Sequence, residues 1–445
     1  MKKKYRIILY TSIFLLCVVA SIILVVKKSN SVYEEESKPK VVKHKSMLSM
    51  NLEQTAGAGD YKTVTQSKWP TEGYKFNAEL SRCENGSTLS WDDTKKAVIV
   101  SGNLSDKCYV YFDIYQPTLA EYIKSQYTGT QGENNIYYHD SDLANGAGDN
   151  SYRYAGANPN NFVCFGTTES PCPTDNLYRI IGVFGENYHG VTGKQLVKLI
   201  KYDYMTTDEL GTDGDYSQTY KEWGMDSTYK GTYGDGERIG VYYWNYKATG
   251  SATNTWSTSL LNKTNLNTNF INNIGTTWAN KIATVTWKVG GNTYANIKDV
   301  VPATAYQNEV VNPTSGSYST TGETTYEAKI GLMYVSDYGF AARSSAWTTT
   351  LYNYDGYDDN NVAIKDTNWM FIGSDIWTIS RIAEISDRVF YVESIGFKTE
   401  GTHGNISDIP VNNNGGSGVN VVFFLNSFVT YVSGSGTMSD PIIID

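Results

Sequence analysis

The chain has 445 residues and a formal net charge of −9. An acidic chain with no basic stripe beyond its first residues argues against nucleic-acid binding. Charged residues make up only 19%, whereas hydrophobic residues reach 40% and aromatics 13%, which is not the composition of a disordered chain. Many Tyr, Gly, Asn, Thr and Ser residues favour a β-rich fold with polar turns.

Residues 7–26 form an apolar run without a charge. As a helix of about 30 Å this run is long enough to cross a bilayer. Basic residues are denser before it (2–6) than after it (27–28), which predicts a cytoplasmic N-terminus. The sequence therefore predicts a single-pass cell-membrane protein, with a cytoplasmic tail at 1–6, an anchor at 7–26 and its bulk outside the cell.

Two alternatives to an uncleaved anchor are weaker. A signal peptide cut after Val18 and Ala20 would leave the apolar residues 21–26 on the new terminus. A lipoprotein site at Cys17 has Leu16 where a small residue is needed. An uncleaved anchor is the favoured interpretation.

Four of the five cysteines lie outside the predicted anchor. An even number of external cysteines suits disulfides, and three connectivities are open. Pairing between sequence neighbours, Cys83 with Cys108 and Cys164 with Cys172, is favoured. Free thiols stay open as an alternative. A zinc site is disfavoured because neither pair has metal-type spacing and no His cluster accompanies them.

The chain in front of the main domain divides into three segments. Residues 27–66 are polar and without periodicity, which predicts a stalk. Residues 67–117 predict a small β domain with an Asn-Gly turn signal and an alternating strand at 107–113, stapled by a Cys83–Cys108 disulfide. Residues 118–148 predict a short helix followed by a turn-rich linker.

Residues 149–445 predict a larger α+β domain with a few helices. Residues 176–184 and 195–201 are apolar and read as two strands of a hairpin. Residues 206–247 are rich in Gly, Asp and Tyr and predict a loop, whereas 256–274 has helical apolar spacing. The overall prediction is a β-rich α+β fold behind an N-terminal transmembrane helix.

Catalytic motifs are absent from the sequence. There are only four histidines, with no His-Glu-x-x-His pair, no Gly-x-Ser-x-Gly elbow after a strand and no phosphate loop. The carboxylate-rich segments 208–222 and 355–366 lack the pattern of an EF-hand, although irregular surface Ca²⁺ sites stay open there. We therefore predict no enzyme, no catalytic residue, no metal and no cofactor.

The tail from 368 to 426 mixes aromatic and small polar residues, a combination typical of adaptable binding surfaces. Trp377, Phe390, Tyr391 and Leu425 are interpreted as core, and the turn segments 382–388 and 394–417 as the places for contacts. The candidate ligand-binding residues are Trp369, Phe371, Asp375, Arg388, Phe397, His403 and Asn405.

Several sequence blocks resemble, as a set, a group of uncharacterised, membrane-anchored surface proteins of gut-dwelling Gram-positive bacteria. The resemblance covers most of residues 70–445, and this group has no established activity to transfer. The blocks are Cys83–Gly86, Trp91–Asp92, Cys108–Asp113, Ser151–Asn161, Asn176–Phe184, Lys329–Phe340, Trp377–Arg381 and Ser433–Pro441.

The C-terminal domain is more distantly similar to DUF6273-type and C-type-lectin-like folds. Such folds occur in formylglycine-generating-enzyme relatives and in the variable receptors of diversity-generating retroelements, so the resemblance implies a lectin-like fold and little about activity. The chain departs from the group at 418–422, where it has Gly-Val-Asn-Val-Val and the group tends to have Gly-Val-Arg-Pro-Val. A structural role of that Arg would be vacant here.

Two main functional hypotheses follow. The favoured one is a bacterial cell-surface protein with a non-catalytic, receptor- or adhesin-like ectodomain for an unknown extracellular glycan or protein. The alternative is an extracellular enzyme, either a glycan hydrolase or a formylglycine-generating-enzyme-like oxidase that would need reactive Cys164 and Cys172. A structural envelope protein without a specific ligand is a third option.

Overall fold

The computed structural model describes residues 48–445, except 66–67, 71–72, 104, 222–237, 248–250, 293–299, 315–321, 374, 395–402 and 413–415. The chain divides into two compact units, Met1–Gln116 and Pro117–Asp445. The strands of the first unit are β1 (Leu48–Glu53), β2 (Tyr61–Val64), β3 (Tyr74–Phe76), β4 (Arg82–Cys83), β5 (Thr88–Asp92), β6 (Ala97–Ser101) and β7 (Cys108–Ile114).

The second unit combines many strands with short helices. Its strands are β8 (Ile136–His139), β9 (Ser151–Tyr154), β10 (Phe162–Cys164), β11 (Leu177–Phe184), β12 (Leu196–Lys201), β13 (Tyr216–Lys221), β14 (Arg238–Tyr242), β15 (Val285–Lys288), β16 (Thr325–Ala328), β17 (Ile330–Gly331), β18 (Ile376–Arg381), β19 (Arg388–Val392), β20 (Ile406–Pro410), β21 (Val422–Phe424), β22 (Tyr431–Ser433) and β23 (Ile443–Ile444). Its α-helices are α1 (Leu119–Ser125), α2 (Glu186–His189), α3 (Thr207–Leu210), α4 (Ile271–Asn273), α5 (Gly275–Ala279), α6 (Pro302–Tyr306) and α7 (Val335–Ala341), and π-helices cover Leu261–Phe270 and Gln307–Val311.

The structure corrects the predicted fold class in its first element, the transmembrane helix. Within the described parts of the chain, no helix combines the length and the apolar character needed to cross a bilayer. The run 7–26, on which the prediction depended, lies outside the described residues. This finding contradicts the prediction of a single-pass membrane protein located at the cell membrane.

The first unit is built on a sheet in the order β2-β1-β7-β3, with β4 also paired to β7. β1 runs parallel to β7 and antiparallel to β2, and Met50 and Leu52 of β1 pack with Val110 and Phe112 of β7 in the core. Residues 48–64 were predicted to be part of a stalk. They instead supply a central strand and its neighbour.

A disulfide between Cys83 and Cys108 joins β4 to β7. The Asn-Gly turn after β4 is held by the Asp106 carboxylate, which accepts hydrogen bonds from the backbone N–H groups of Asn85 (2.9 Å) and Ser87 (3.1 Å). The predicted pairing of sequence neighbours is the one found here. The second pair, Cys164 and Cys172, is also a disulfide and ties β10 to the segment before β11.

The second unit is organised around a seven-stranded sheet in the order β17-β21-β12-β11-β9-β8, with β10 also paired to β11. The predicted hairpin is confirmed as the antiparallel pair β11 and β12. Every residue of both strands is buried, since their nearly continuous apolar sequence suits a sheet that is covered on both faces. Gly182 lies at a bulge in β11, where a Cβ atom would come 2.2 Å from the Tyr152 carbonyl oxygen of β9.

Two segments of the second unit differ from their predictions. Residues 118–148 were predicted as helix and linker, but α1 and β8 belong to this unit, and β8 pairs with β9 in its main sheet. Residues 206–247 were predicted as loop, but they contain α3 and the β13–β14 hairpin. A Thr118–Glu121 capping box starts α1, which confirms the predicted helix.

A separate three-stranded sheet, β18-β19-β20, carries much of the aromatic tail. Trp377 of β18 and Phe390 and Tyr391 of β19 are buried, as is Leu425. The Trp377 indole N–H donates to the Tyr242 carbonyl oxygen at 2.7 Å, so its single polar atom is satisfied. The interpretation of these aromatic residues as core is confirmed.

Candidate ligand-binding cleft

Two of the predicted binding residues, Trp369 and Phe371, lie in the core. Trp369 is only 1% exposed; its indole N–H donates to the Tyr154 carbonyl oxygen at 2.9 Å, and its ring lies 4.6 Å from the Arg179 guanidinium. Phe371 is buried against Gly404. Their aromatic rings pack against other core residues, so neither side chain is accessible to a ligand.

Three other predicted residues come together around Glu393. The Asn405 amide N–H donates to the Glu393 carboxylate at 3.1 Å, and Asp375 accepts from the Ser394 backbone N–H at 2.7 Å. Burial raises the pKa of Asp375 to about 6, and the charge of Glu393 adds to the effect while that of His403 opposes it. Sequence reasoning missed Glu393, the centre of this group, because it has no motif of its own.

The last two predicted binding residues are not part of this group. Arg388 of β19 forms an ion pair with Asp408 of the neighbouring strand β20. Phe397 lies outside the described residues. Arg388 therefore has a cross-strand partner in the sheet.

The carboxylate-rich segments use their side chains to hold backbone. Asp215 is buried and accepts from the backbone N–H groups of Tyr246 (3.0 Å) and Leu261 (2.8 Å). Asp358 accepts from the N–H groups of Asn360 and Val362 and pairs with Arg343. Across the described stretches of the chain, no group of three or more His, Cys, Asp or Glu side chains is placed to hold a metal ion.

A cleft of about 570 Å³ lies in the second unit, where β10, β11 and β12 meet α3 and the end of the first π-helix. This volume is within the usual range of small-molecule sites. Aromatic side chains that are almost fully buried contribute to its lining, and polar and charged groups complete it. The lining aromatic residues are Phe165, Tyr178, Tyr204 and Phe270.

The wall formed by α3 is fixed by a closed set of hydrogen bonds. Thr206 and Glu209 form a capping box, with the Glu209 carboxylate accepting from the Thr206 N–H at 2.8 Å. The other Glu209 oxygen pairs with the Lys201 ammonium group at 3.0 Å. The Asn273 amide donates to the backbone carbonyl oxygens of Asp208 and Glu209, which ties α3 to the segment after the π-helix. The cleft is therefore preformed.

Asn420, at the position where we expected a structural role to be vacant, supports this cleft. It is buried, and its amide donates to the carbonyl oxygens of Lys201 (3.2 Å) and Asp203 (2.9 Å) at the end of β12. The Asn420 side chain thus fixes the backbone of two lining residues.

The charges of the cleft are unbalanced. Its lining carries the carboxylates of Asp175, Asp203, Asp208 and Glu209 against one ammonium group, that of Lys201. Lys201 and Glu209 neutralise each other, and Asp175 and Asp208 are exposed at the rim. The remaining charge is negative, so the cleft favours cationic or hydroxyl-rich groups over anions.

Sequence reasoning missed this cleft because its lining comes from separate segments between 165 and 274. One signal was available: Asp208 and Glu209 belong to a carboxylate-rich segment that was considered only for calcium. The capping pattern Thr206-x-x-Glu209 and the preceding strand would have placed these carboxylates at a sheet end.

No family model, no curated protein and no solved structure matches the chain. The cleft is consequently interpreted from its own residues.

Proposed function

We propose that this protein is a non-catalytic, receptor- or adhesin-like binding protein that holds part of an extracellular glycan or protein ligand in the cleft between β12 and α3. The preformed cleft of about 570 Å³, with its acidic rim, is the observation that carries the proposal. Two disulfides support a place of action in an oxidising compartment.

The charge of the rim limits the chemical classes of ligand that the cleft can bind. Asp175 and Asp208 are exposed, and neither carboxylate has a side-chain partner among the described residues. Exposed carboxylates accept hydrogen bonds from hydroxyl groups and attract cationic groups. The ligand group that enters the cleft therefore carries hydroxyl or cationic groups.

The oxidase alternative has lost its reactive group. Cys164 and Cys172 are joined in a disulfide, so neither offers a thiol in this structure. The distant similarity to C-type-lectin-like folds is consistent with a receptor, and it stays part of this proposal.

The test is a screen of the full chain against glycan and peptide arrays that include neutral, cationic and anionic members. We expect binding to hydroxyl-rich or cationic members and weakening with salt for the cationic ones. The double variant Asp175→Lys and Asp208→Lys reverses the charge of the rim and should weaken binding at least tenfold.

The matched control is Asp142→Lys, which reverses an exposed aspartate outside the cleft. Binding that is equally strong in the rim variant and in the control would reject the cleft as the site. Release of sugar or peptide fragments from bound array members would show an enzyme instead of a receptor.

A further inference from the structure

A second feature of the same unit lies inside its core, away from the cleft. Lys198 of β12, Asp337 of α7 and Arg153 of β9 meet there, with side chains that are at most 1% exposed. The Lys198 Nζ atom lies 2.5 Å from the Asp337 Oδ2 atom. Moving charged groups out of water costs free energy. We therefore considered whether this pair has a chemical role.

The Lys198 ammonium group is enclosed by aromatic rings. The distances from Nζ to the ring centroids run from 4.3 Å for Tyr334 to 5.9 Å for Phe184. Burial in this cage lowers the pKa of Lys198 to about 8, although the charge of Asp337 and its bond act in the opposite direction. A desolvated amine of this kind is an activated nucleophile. The other rings are those of Tyr188, Trp287 and Phe424.

The Asp337 carboxyl group is polarised from its other side. The Tyr188 hydroxyl donates to Oδ1 at 2.6 Å, and the Arg153 Nη1 atom lies 3.8 Å from the same oxygen. A donor and a positive charge at Oδ1 would stabilise negative charge that develops there when the carboxyl carbon is attacked. The Tyr334 backbone N–H donates to Oδ2 at 2.9 Å and holds the group in position.

We propose that Lys198 and Asp337 condense to an intramolecular amide bond that links β12 covalently to α7. The ion pair first becomes a neutral amine and a carboxylic acid by transfer of one proton within the pair. The Lys198 nitrogen then attacks the Asp337 carboxyl carbon; the C–N bond forms and the bond from that carbon to Oδ2 breaks. Oδ2 leaves as water with one proton from the acid and one from the amine. No oxidant or reductant is needed.

Enclosure favours this reaction over its reverse. The two groups are fixed in contact, which replaces an encounter in solution by an intramolecular step. The cage excludes the water that would hydrolyse the amide. The competing interpretation is an ordinary buried ion pair. A chain with the amide bond is lighter than a chain with the ion pair by one water molecule.

The chain contains an internal control for the chemistry. Lys201 lies three residues further along the same region, and its ammonium group pairs with Glu209 at 3.0 Å. The Glu209 carboxylate is 25% exposed and also serves the capping box. Because water reaches this pair, we expect it to remain an ion pair.

The primary test is the mass of the full chain after denaturation, reduction and thiol alkylation. We expect a mass below that of the sequence by one water molecule. Peptide mapping should recover a branched peptide that joins the segment with Lys198 to the segment with Asp337. An unchanged mass, or a water loss confined to a linear peptide such as a succinimide, would overturn the proposal.

Variants assign the loss to the two residues. Lys198→Met and Asp337→Ala should each restore the full mass, whereas the control Lys201→Met should keep the loss. Persistence of the loss in Lys198→Met would reject the assignment. Should the two core variants fail to fold, the peptide map of the unaltered chain decides the question by itself.

Discussion

At the scale of single residues, the hydrogen bonds of the polar atoms show which aromatic side chains of the tail belong to the core. Trp369 and Trp377 both donate their indole N–H to a backbone carbonyl oxygen of the interior. A buried Trp whose N–H is satisfied in this way is fixed in the core. Aromatic composition alone therefore did not separate a binding surface from packing, because both use the same residue types.

Trp369→Ala should destabilise the second unit by about 3–5 kcal/mol, since it empties a large buried site. Urea unfolding followed by circular dichroism measures the change. The matched control is Phe428→Ala, because Phe428 is 63% exposed, and it should change the stability by no more than about 0.5 kcal/mol. Lost ligand binding in Trp369→Ala at unchanged stability would return this residue to the binding site.

Asp375 makes the stability depend on pH. Its pKa is raised from 3.8 to about 6 in the folded protein. Between these values the folded state keeps a proton that the unfolded state releases, so the free energy of unfolding falls as the pH rises. Relative to Asp375→Asn, the free energy of unfolding of the unaltered protein should fall by up to about 3 kcal/mol over this pH range.

Unfolding titrations of both proteins between pH 4 and pH 7 test this expectation. A stability difference that stays constant with pH would show that Asp375 titrates normally in the folded state.

At the scale of elements, sequence patterns predicted the helices and strands that depend on interactions between residues close together in the chain. The hairpin β11–β12 was visible because two apolar runs of strand length follow one another, and α1 because of its capping residues. β1 was missed because it lies in an otherwise polar segment and its partner β7 is far along the chain, although its apolar residues Leu48, Met50 and Leu52 alternate with polar ones. The cleft was missed for the same reason: tertiary contacts alone bring its segments together.

Replacing Cys83 and Cys108 by Ser should destabilise the first unit by about 3 kcal/mol. The bridge closes a loop with a sequence separation of 25, and its loss frees that loop in the unfolded state. Hydrogen exchange of the β7 amides measures the effect. The control, Cys164→Ser with Cys172→Ser, should leave these amides unchanged, and protection of β7 that survives loss of the first bridge would contradict the expectation.

At the scale of the whole molecule, the two units have separate hydrophobic cores. The first packs around Met50, Leu52, Val110 and Phe112, and the core of the second draws only on residues from 119 onward. The cleft and the Lys198–Asp337 pair both belong to the second unit. Binding and the proposed covalent link are therefore expected to be properties of that unit.

Residues 117–445 expressed alone should fold, because the core of this unit uses no residue of the first. Circular dichroism and a cooperative thermal transition measure folding. Ligands found on the arrays should bind this fragment within about threefold of their affinity for the full chain, a difference below 1 kcal/mol. An insoluble or non-cooperative fragment would show that the second unit depends on the first.

The place of β1 has a practical consequence for anyone who shortens this chain. β1 lies between β2 and β7. A fragment that begins at residue 67, where the sequence suggested a domain boundary, would leave one side of β7 without its partner. A bare strand edge of this kind recruits strands from other molecules. Such a fragment should form oligomers or precipitate, and a boundary before Leu48 avoids the exposed edge.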